Sequence, residues 1–342
     1  MSISILKFVD EAVKYIYNKN QKLYYNGADN LTPNKYLNLY NNVPEFSSSI
    51  NFILDNLIVD GIEELDYFTL KKICFDYILQ GQFYIETQKL RNGKFKINHL
   101  DAEKCRYSGD LNQIGYAADW NYNYRQNFVF KPITDSVKND GIFTYKAPLT
   151  KDVYGKPKYI SALKQIETAD EIANFHLNTA KNSFITSKVI TFRNGVPTKE
   201  VQAEMEQSIL ENFGGSTGKR FMILYAENEA DAPTITNLED DQLDTKFESL
   251  QKFIQQSIIM AFSITSKALI GISIDNQGFN TTEFEQAMKI FKDTVIAGYR
   301  KEIEHGLSLL LNKDIKLITE IIPPKQETNI VNDNSINQNN QI

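Results

Sequence analysis

The sequence predicts an α+β fold, with helices and short strands grouped in separate runs and no regular β-α alternation. Three observations carry this. Apolar residues recur at helical spacing in three stretches of roughly the first 80 of 342 residues. Between Phe83 and Tyr145 the period changes to two. After a break at Gly155-Lys156-Pro157, two long striped helices flank a small strand–helix–strand insert, and a further long helix follows.

Ile5, Phe8, Val9, Ala12, Val13 and Ile16 mark a first amphipathic helix. Residues 19–45 are polar, carry Asn26-Gly27 and two prolines, and read as loop. Ser47-Ser48-Ser49 offers an N-cap for a helix with Ile50, Ile53, Leu54, Leu57 and Ile58 on one face. Another helix covers about 66–80 and ends at Gly81. Phe83, Ile85 and Thr87 then alternate with polar neighbours, Asn92-Gly93 signals a hairpin turn, and Phe95, Ile97 and His99 continue on the return strand. Further short strand-like pieces run to Tyr145.

The helix after the break carries Leu163, Ile166, Ala169, Ile172, Ala173, Leu177, Ala180 and Phe184. A strand (Val189–Phe192), a turn at Asn194-Gly195, a helix (Thr198–Asn212), a glycine loop and an apolar strand (Phe221–Tyr225) follow. The second long helix, Asp244–Phe262, places Phe247, Leu250, Ile254, Ile258 and Ala261 on one face. Residues 263–280 read as a flexible stretch. Thr282 and Glu285 have capping-box spacing. The helix they begin has the stripe Phe284, Met288, Phe291, Val295, Tyr299, Ile303, Leu307 and Leu310. A last strand, 315–322, stops at Pro323-Pro324, and the final 20 residues hold nine Asn or Gln, so they are expected to be disordered.

Composition excludes several classes. The net charge of -6 argues against tight nucleic-acid binding, which needs an excess of Lys and Arg. Cys74 and Cys105 are too few for a disulfide framework or a cysteine zinc site, and are expected as reduced thiols in a cytoplasmic product. The first ten residues have no basic region and are interrupted by Asp10, so no signal peptide is expected. No run approaches the ~18 apolar residues of a membrane span.

Chemical motifs fail on inspection. Gly214 to Arg220 resembles a phosphate-binding loop, but Phe213 stands where the first glycine is required and Arg220 replaces the magnesium-binding Ser or Thr. A strand also follows where a helix N-terminus should supply amide donors. His99, His176 and His305 lie on different elements without ligand spacing, and no nucleophile elbow or Cys-His arrangement is present. Residues 227–248 hold eight acids against one base, Lys246, without calcium-loop spacing. They read as a solvated acidic face or as one that repels a polyanion.

The order of the pieces resembles the phage portal proteins of the capsid-family type over roughly residues 40–320. Val43-Pro44 with the following helix resembles that family's early wing helix, and Phe75–Glu86 its helix-glycine-strand signature. Asn92-Gly93-Lys94 and Leu100–Cys105 are similar to its hairpin and the segment after it. Tyr154–Leu163 resembles the approach to the first stem helix, with proline two residues early at Pro157. Ile258–Ser263 with Leu269–Gly271 resembles the end of the second stem helix, with Thr265 in a usual proline position.

The resemblance implies a portal-like fold: α/β wing, two-helix stem, small α/β clip and long wing helix. Residues 1–163 would be the N-terminal wing, 164–184 and 244–262 the stem helices, 185–243 the clip and 263–281 a tunnel loop. Residues 282–322 would return to the wing, 323–342 would be a disordered tail, and no crown is expected. It implies a non-enzymatic, cofactor-free subunit of a ring, twelve-membered in that family, at one capsid vertex of a virion assembled in the bacterial host cytoplasm. Double-stranded DNA would pass through non-specifically in packaging and ejection. A terminase large subunit, then head-tail connector and capsid proteins, would dock on it; no membrane partner is implied. Lys267, Ser266, Leu269, Ile270 and Asn276 would be the loop residues nearest DNA. Glu227, Glu229, Asp231, Glu239, Asp240 and Asp241 would form an acidic channel or clip face. The alternative is a minor capsid or head-tail adaptor protein that never lines DNA.

Overall fold

Local chemistry sets the boundaries of helix α3 (Tyr67–Gln80) in the computed structural model, which describes residues 16–120, 128–149, 151–181, 188–192, 197–213, 221–225, 243–271 and 281–317. The Asp66 carboxylate accepts from the N–H groups of Phe68 and Thr69 at 3.0 and 3.1 Å, satisfying amides with no partner inside the helix. At the other end Gly81, at φ +71°, closes the helix in the left-handed region.

The chain turns straight into β3 (Gln82–Lys89), the centre of an antiparallel sheet ordered β4-β3-β8, where β4 is Phe95–Leu100 and β8 is Gly141–Lys146. Tyr84 stands opposite both Leu100 and Thr144, and Gly93 makes the predicted turn at φ +78°. The alternation is less clean than expected, because both faces are covered. Phe83 and Ile85 enter the main core, while Tyr84 joins Tyr107, Ile114, Ile142 and Tyr154 in a second, smaller core. That core rests on a second sheet, β5-β6-β7, made of Cys105–Tyr107, Gln113–Tyr116 and Val129–Pro132.

The expected loop at 19–45 is corrected. It contains half of a short hairpin, β1 (Tyr17–Asn18) with β2 (Leu23–Tyr24), and a full helix, α1 (Thr32–Asn42). Pro33 sits in the first turn of α1, where its missing N–H costs nothing. The side it buries rests on Pro33, Tyr36 and Leu39, too sparse a stripe to read as helical. Helix α2 (Pro44–Leu57) likewise begins at Pro44, not at the serines. Ser47 and Ser49 lie inside it, their hydroxyls donating to the carbonyls of Pro44 and Glu45 at 3.1 and 2.7 Å.

Helix α4 (Leu163–Lys181) and the later α6 (Leu243–Ala261) form an antiparallel pair. Phe175 stacks on Phe247 with centroids 5.6 Å apart at one end, and Tyr159 stacks on Phe262 at 5.3 Å at the other. Between them lie β9 (Lys188–Phe192), α5 (Lys199–Phe213) and β10 (Phe221–Tyr225), with β10 parallel to β9. The α4 stripe is only partly internal: Ile166 and Ile172 are buried, but Ala173 and Leu177 are exposed.

The long helix is not continuous. It comprises α7 (Thr281–Phe291), a π-turn (Lys292–Ile296) and α8 (Ala297–Leu311), starting one residue before the expected cap. Its stripe explains the π-turn. Phe291, Val295, Tyr299, Ile303 and Leu307 are spaced by four, and each such step swings about 40° round a regular helix. An extra residue in one turn returns the stripe to the core, where Phe291, Ile303, Leu307 and Leu310 are fully buried. Burying each such side chain contributes about 1.5–3 kcal/mol.

The expected last strand is also corrected within its described part. Residues 315–317 pair with no strand; instead the amide of Ile315 donates to the Ser308 hydroxyl at 3.0 Å and that of Leu317 to Glu304 Oε1 at 2.9 Å. The first expected helix up to residue 15, the Asn194-Gly195 turn and the tail lie outside the described residues. No helix among the described residues is long and apolar enough to cross a membrane.

Candidate functional site

The segment after α6 is a folded turn as far as Gly271. Ser263 adopts φ +53°, and its N–H donates to the Met260 carbonyl at 2.9 Å. Ile264 turns back into the core, 6% exposed. The Thr265 hydroxyl donates to the Ala287 carbonyl on α7 at 3.1 Å, tying the turn to the long helix. The Ser266 hydroxyl accepts from the Ala268 N–H at 3.3 Å and caps a 3₁₀ turn, Lys267–Ile270, which ends at Gly271 with φ +79°.

Of the five expected loop residues, Leu269 is buried in the main core, Ser266 caps the turn, and Lys267 and Ile270 are half-buried at its surface. Asn276 lies outside the described residues. So do Glu227, Glu229, Asp231, Glu239, Asp240 and Asp241. The expected "flexible" stretch is thus anchored in its first half, by apolar side chains and two hydroxyls.

Sequence reasoning missed the joint that roots α4 and α6 in the sheet body. Gly155 packs against the Gly81 carbonyl, and its N–H donates to Gln82 Oε1 at 2.8 Å. In the 3₁₀ turn before α4, the Tyr159 hydroxyl donates to the Leu79 carbonyl at 2.7 Å. Lys158 pairs with Glu302 of α8 at 2.7 Å and lies 4.1 Å from the Tyr299 ring centroid. Glu302 also accepts from the Tyr77 hydroxyl at 3.0 Å. Burial, reinforced by the Glu302 charge, pushes the Tyr77 phenol well above its usual range. The only sequence signals for this joint were the two glycines and Pro157.

Beyond the joint the paired helices become exposed. Phe175, Leu177, Leu250 and Phe253 out along the pair, with Met260 at its root, are five of the fifteen exposed large apolar side chains among the described residues, so this pair is where uncovered apolar surface concentrates.

One buried polar cluster has structural geometry. His99 Nε2 lies 2.8 Å from Asp76 Oδ2, which also accepts from the Ala102 N–H at 3.1 Å. Cys74 and Cys105 are free and buried. Among the described residues no cluster of three His, Cys, Asp or Glu could hold a metal. Residues 214–220 lie outside the described residues, but β10 follows them directly, so a strand stands where a phosphate-binding loop needs a helix.

A family model described as "Phage portal protein" matches residues 66–322. No curated protein matches the chain. Among solved structures, the chain is similar to one in "Virion of native gene transfer agent (GTA) particle", with 15% identity, a TM-score of 0.49, and 86% of this chain and 84% of that chain covered. It is also similar to one in "Neck of native GTA particle computed with C12 symmetry", with 16% identity, a TM-score of 0.47, and coverage of 80% and 79%.

Proposed function

Because the chain belongs to the phage portal protein family, we propose that it forms a closed ring, twelve-membered as the resemblance implies, through which double-stranded DNA enters and leaves a capsid at one vertex. The observation that carries this reading is the α4–α6 pair, rooted in the sheet body and bearing uncovered apolar side chains beyond it. Helices with apolar residues on more than one side need partners to cover them.

In this reading 164–184 and 244–262 are the stem, 185–243 the clip, 263–281 the tunnel loop, and 1–163 with 282–322 the wing. The bounds of α4 and α6 support the partition. The mechanism is physical. DNA must slide, so deep phosphate-binding minima would stall it, and a net charge of -6 per subunit favours repulsion over grip. Lys267 at the surface of the anchored turn supplies a weak contact that passes from one copy to the next. The terminase large subunit supplies the ATP chemistry and docks at the clip, which later receives head-tail connector proteins.

Negative-stain imaging with light scattering tests this. Closed rings with a central hole are expected. A strictly monomeric protein at high concentration overturns it, and a closed assembly with no open channel favours the adaptor alternative.

A further inference from the structure

We infer that the tip of the β3–β4 hairpin is a second contact with double-stranded DNA, made to its phosphates, at the end of the sheet far from the joint that roots α4 and α6. The inference takes DNA as the polyanion from the portal reading and adds a site to it.

The hairpin runs Lys89-Leu90-Arg91-Asn92-Gly93-Lys94-Phe95-Lys96, with four cations and no acid in eight residues. The chain as a whole carries a net charge of -6, so this is a local reversal of sign. Basic side chains elsewhere are neutralised by neighbours: Lys131 pairs with Glu86, and Lys313 with Glu63 and Glu64. Lys89, Arg91, Lys94 and Lys96 are exposed and form no ion pair among the described residues. Asp140 touches the hairpin, but its carboxylate accepts from the Lys89 backbone N–H at 2.5 Å.

The backbone explains why these side chains stand clear. β8 pairs with β3 only as far as Gly141 opposite Thr87, so the hairpin continues past the sheet as a two-stranded ribbon. The Gly93 N–H donates to the Leu90 carbonyl at 3.0 Å and the Leu90 N–H to the Lys94 carbonyl at 2.7 Å, closing the turn. A Cβ at Gly93 would meet nothing within 4 Å, so the apex stands in open space. Lys89 is opposite Phe95 and Lys96 is opposite Gln88, so cations occupy both faces of the ribbon. From Gln82, beside the joint, to Lys89 the strand spans about 24 Å.

A two-stranded ribbon is narrow enough to lie at a DNA major groove, where cations on both faces meet phosphates on either side. The composition favours DNA over an acidic protein. Protein interfaces centre on aromatic and apolar side chains and are depleted in lysine. At this tip three of the four cations are lysines, and the apolar contribution is limited to Leu90, 40% exposed, and a half-buried Phe95. Flexible cations without an apolar anchor hold phosphate weakly and read no sequence. Such a contact steadies DNA lying against the sheet body and releases it readily.

The test is fluorescence anisotropy with a random-sequence duplex of about 12 base pairs, titrated with the full chain over a salt series. Lys89→Ala/Arg91→Ala/Lys94→Ala/Lys96→Ala should weaken binding about tenfold or more at low salt. It should also flatten the slope of log affinity against log salt by about 3 to 4, since each phosphate contact contributes roughly 0.9. Lys94→Gln/Lys96→Gln, a milder change, should give about half that flattening. Lys19→Ala/Lys72→Ala/Lys289→Ala/Lys301→Ala removes four exposed cations scattered over the surface and should bind like the parent. Equal losses in the hairpin and scattered variants would reduce the effect to net charge and overturn the inference, as would unchanged binding in both hairpin variants. Poly-glutamate held more tightly than the duplex, with the same dependence on the hairpin, would point to an acidic protein and overturn it too. Imaging of the same samples separates the readings: rings without hairpin-dependent binding sink this inference alone, and hairpin-dependent binding without rings sinks the ring alone.

Discussion

Arg106 is fully buried, and Asn30, on a separate segment of chain, takes two of its hydrogen bonds. Arg106 Nε donates to Asn30 Oδ1 at 2.5 Å and Nη2 to the Asn30 carbonyl at 2.6 Å. Nη1 donates to the carbonyls of Glu103 and Cys105 at 2.9 and 2.7 Å, and the guanidinium lies 5.3 Å from the Trp120 ring centroid. None of these hydrogen-bond partners is a carboxylate, and burial lowers the guanidinium below its ordinary value. Asn30 itself holds φ +66°, and its side chain also accepts from the Asn26 N–H at 3.0 Å. A lysine has one nitrogen and cannot span this set of acceptors. Arg106→Lys should therefore destabilise the protein by about 3 kcal/mol, read by chemical denaturation, since it leaves buried groups unpaired. Unchanged stability would show that the pair does not fasten the segment before α1.

Gly155 and Gly93 separate steric from conformational cost. A Cβ at Gly155 would lie 2.2 Å from the Gly81 carbonyl oxygen, at the joint that roots α4 and α6 in the sheet body. At Gly93 it would meet nothing within 4 Å, but φ is +78°. Gly155→Ala should cost about 2–3 kcal/mol by overpacking a rigid joint. Gly93→Ala should cost about 1 kcal/mol, the strain of a left-handed L-residue. Thermal melting of both variants checks the order; equal losses would mean that the joint yields.

What the sequence revealed follows from how each element signals itself. The α3–Gly81–β3 passage was legible because Asp66, Gly81 and the change of period all act locally. Helix α1 was hidden because its buried side is Pro33, Tyr36 and Leu39 among asparagines. The π-turn was present in the run of fours from Phe291 to Leu307, but only as a drift that a regular helix could also have tolerated by curving. The anchoring of Leu269 was illegible: whether an apolar residue between two helices points inward depends on α2 and α7, far away in sequence. The Lys158–Glu302 and Arg106–Asn30 pairs are likewise tertiary, and no spacing announces them.

The Asp76–His99 pair gives a pH prediction. Asp76 is 5% exposed, and burial raises its carboxyl above the ordinary value, against the lowering effect of the His99 bond. Asp101, Glu103 and Lys104 lie around it, and burial raises Glu103 as well. A raised carboxyl contributes stability that is complete below about pH 3.9, the unfolded value, and is lost as pH rises through the folded value. Asp76→Asn keeps an oxygen for the Ala102 N–H and the imidazole N–H, yet has no charge to desolvate. The variant should gain on the parent between pH 4 and 7 in urea midpoint. Parallel curves would show that Asp76 does not titrate there. Asp76→Ala should lose about 2–4 kcal/mol at every pH, since both donors are left unpaired.

Leu269 and Lys267, two positions apart on one 3₁₀ turn, should separate anchoring of the turn from the DNA contact proposed for it. Leu269 is 7% exposed and packs with the main core, while Thr265 ties the same turn to Ala287. Leu269→Ala should cost about 2–4 kcal/mol by leaving a cavity. Lys267 is half-buried at the turn surface. Lys267→Ala should change stability by no more than about 0.5 kcal/mol. The two variants should then differ in vivo. In complementation scored for filled heads, Lys267→Ala should package nearly as well as the parent, because one weakly held charge per subunit is screened in physiological salt. If the proposed ring is right, Leu269→Ala should assemble rings but lose packaged DNA, because an unanchored turn would no longer hold the proposed tunnel loop at a fixed height in the proposed channel. If Leu269→Ala retains DNA like the parent despite its lower stability, residues 263–271 do not position the loop, and the weak contact with DNA must be sought elsewhere on the subunit.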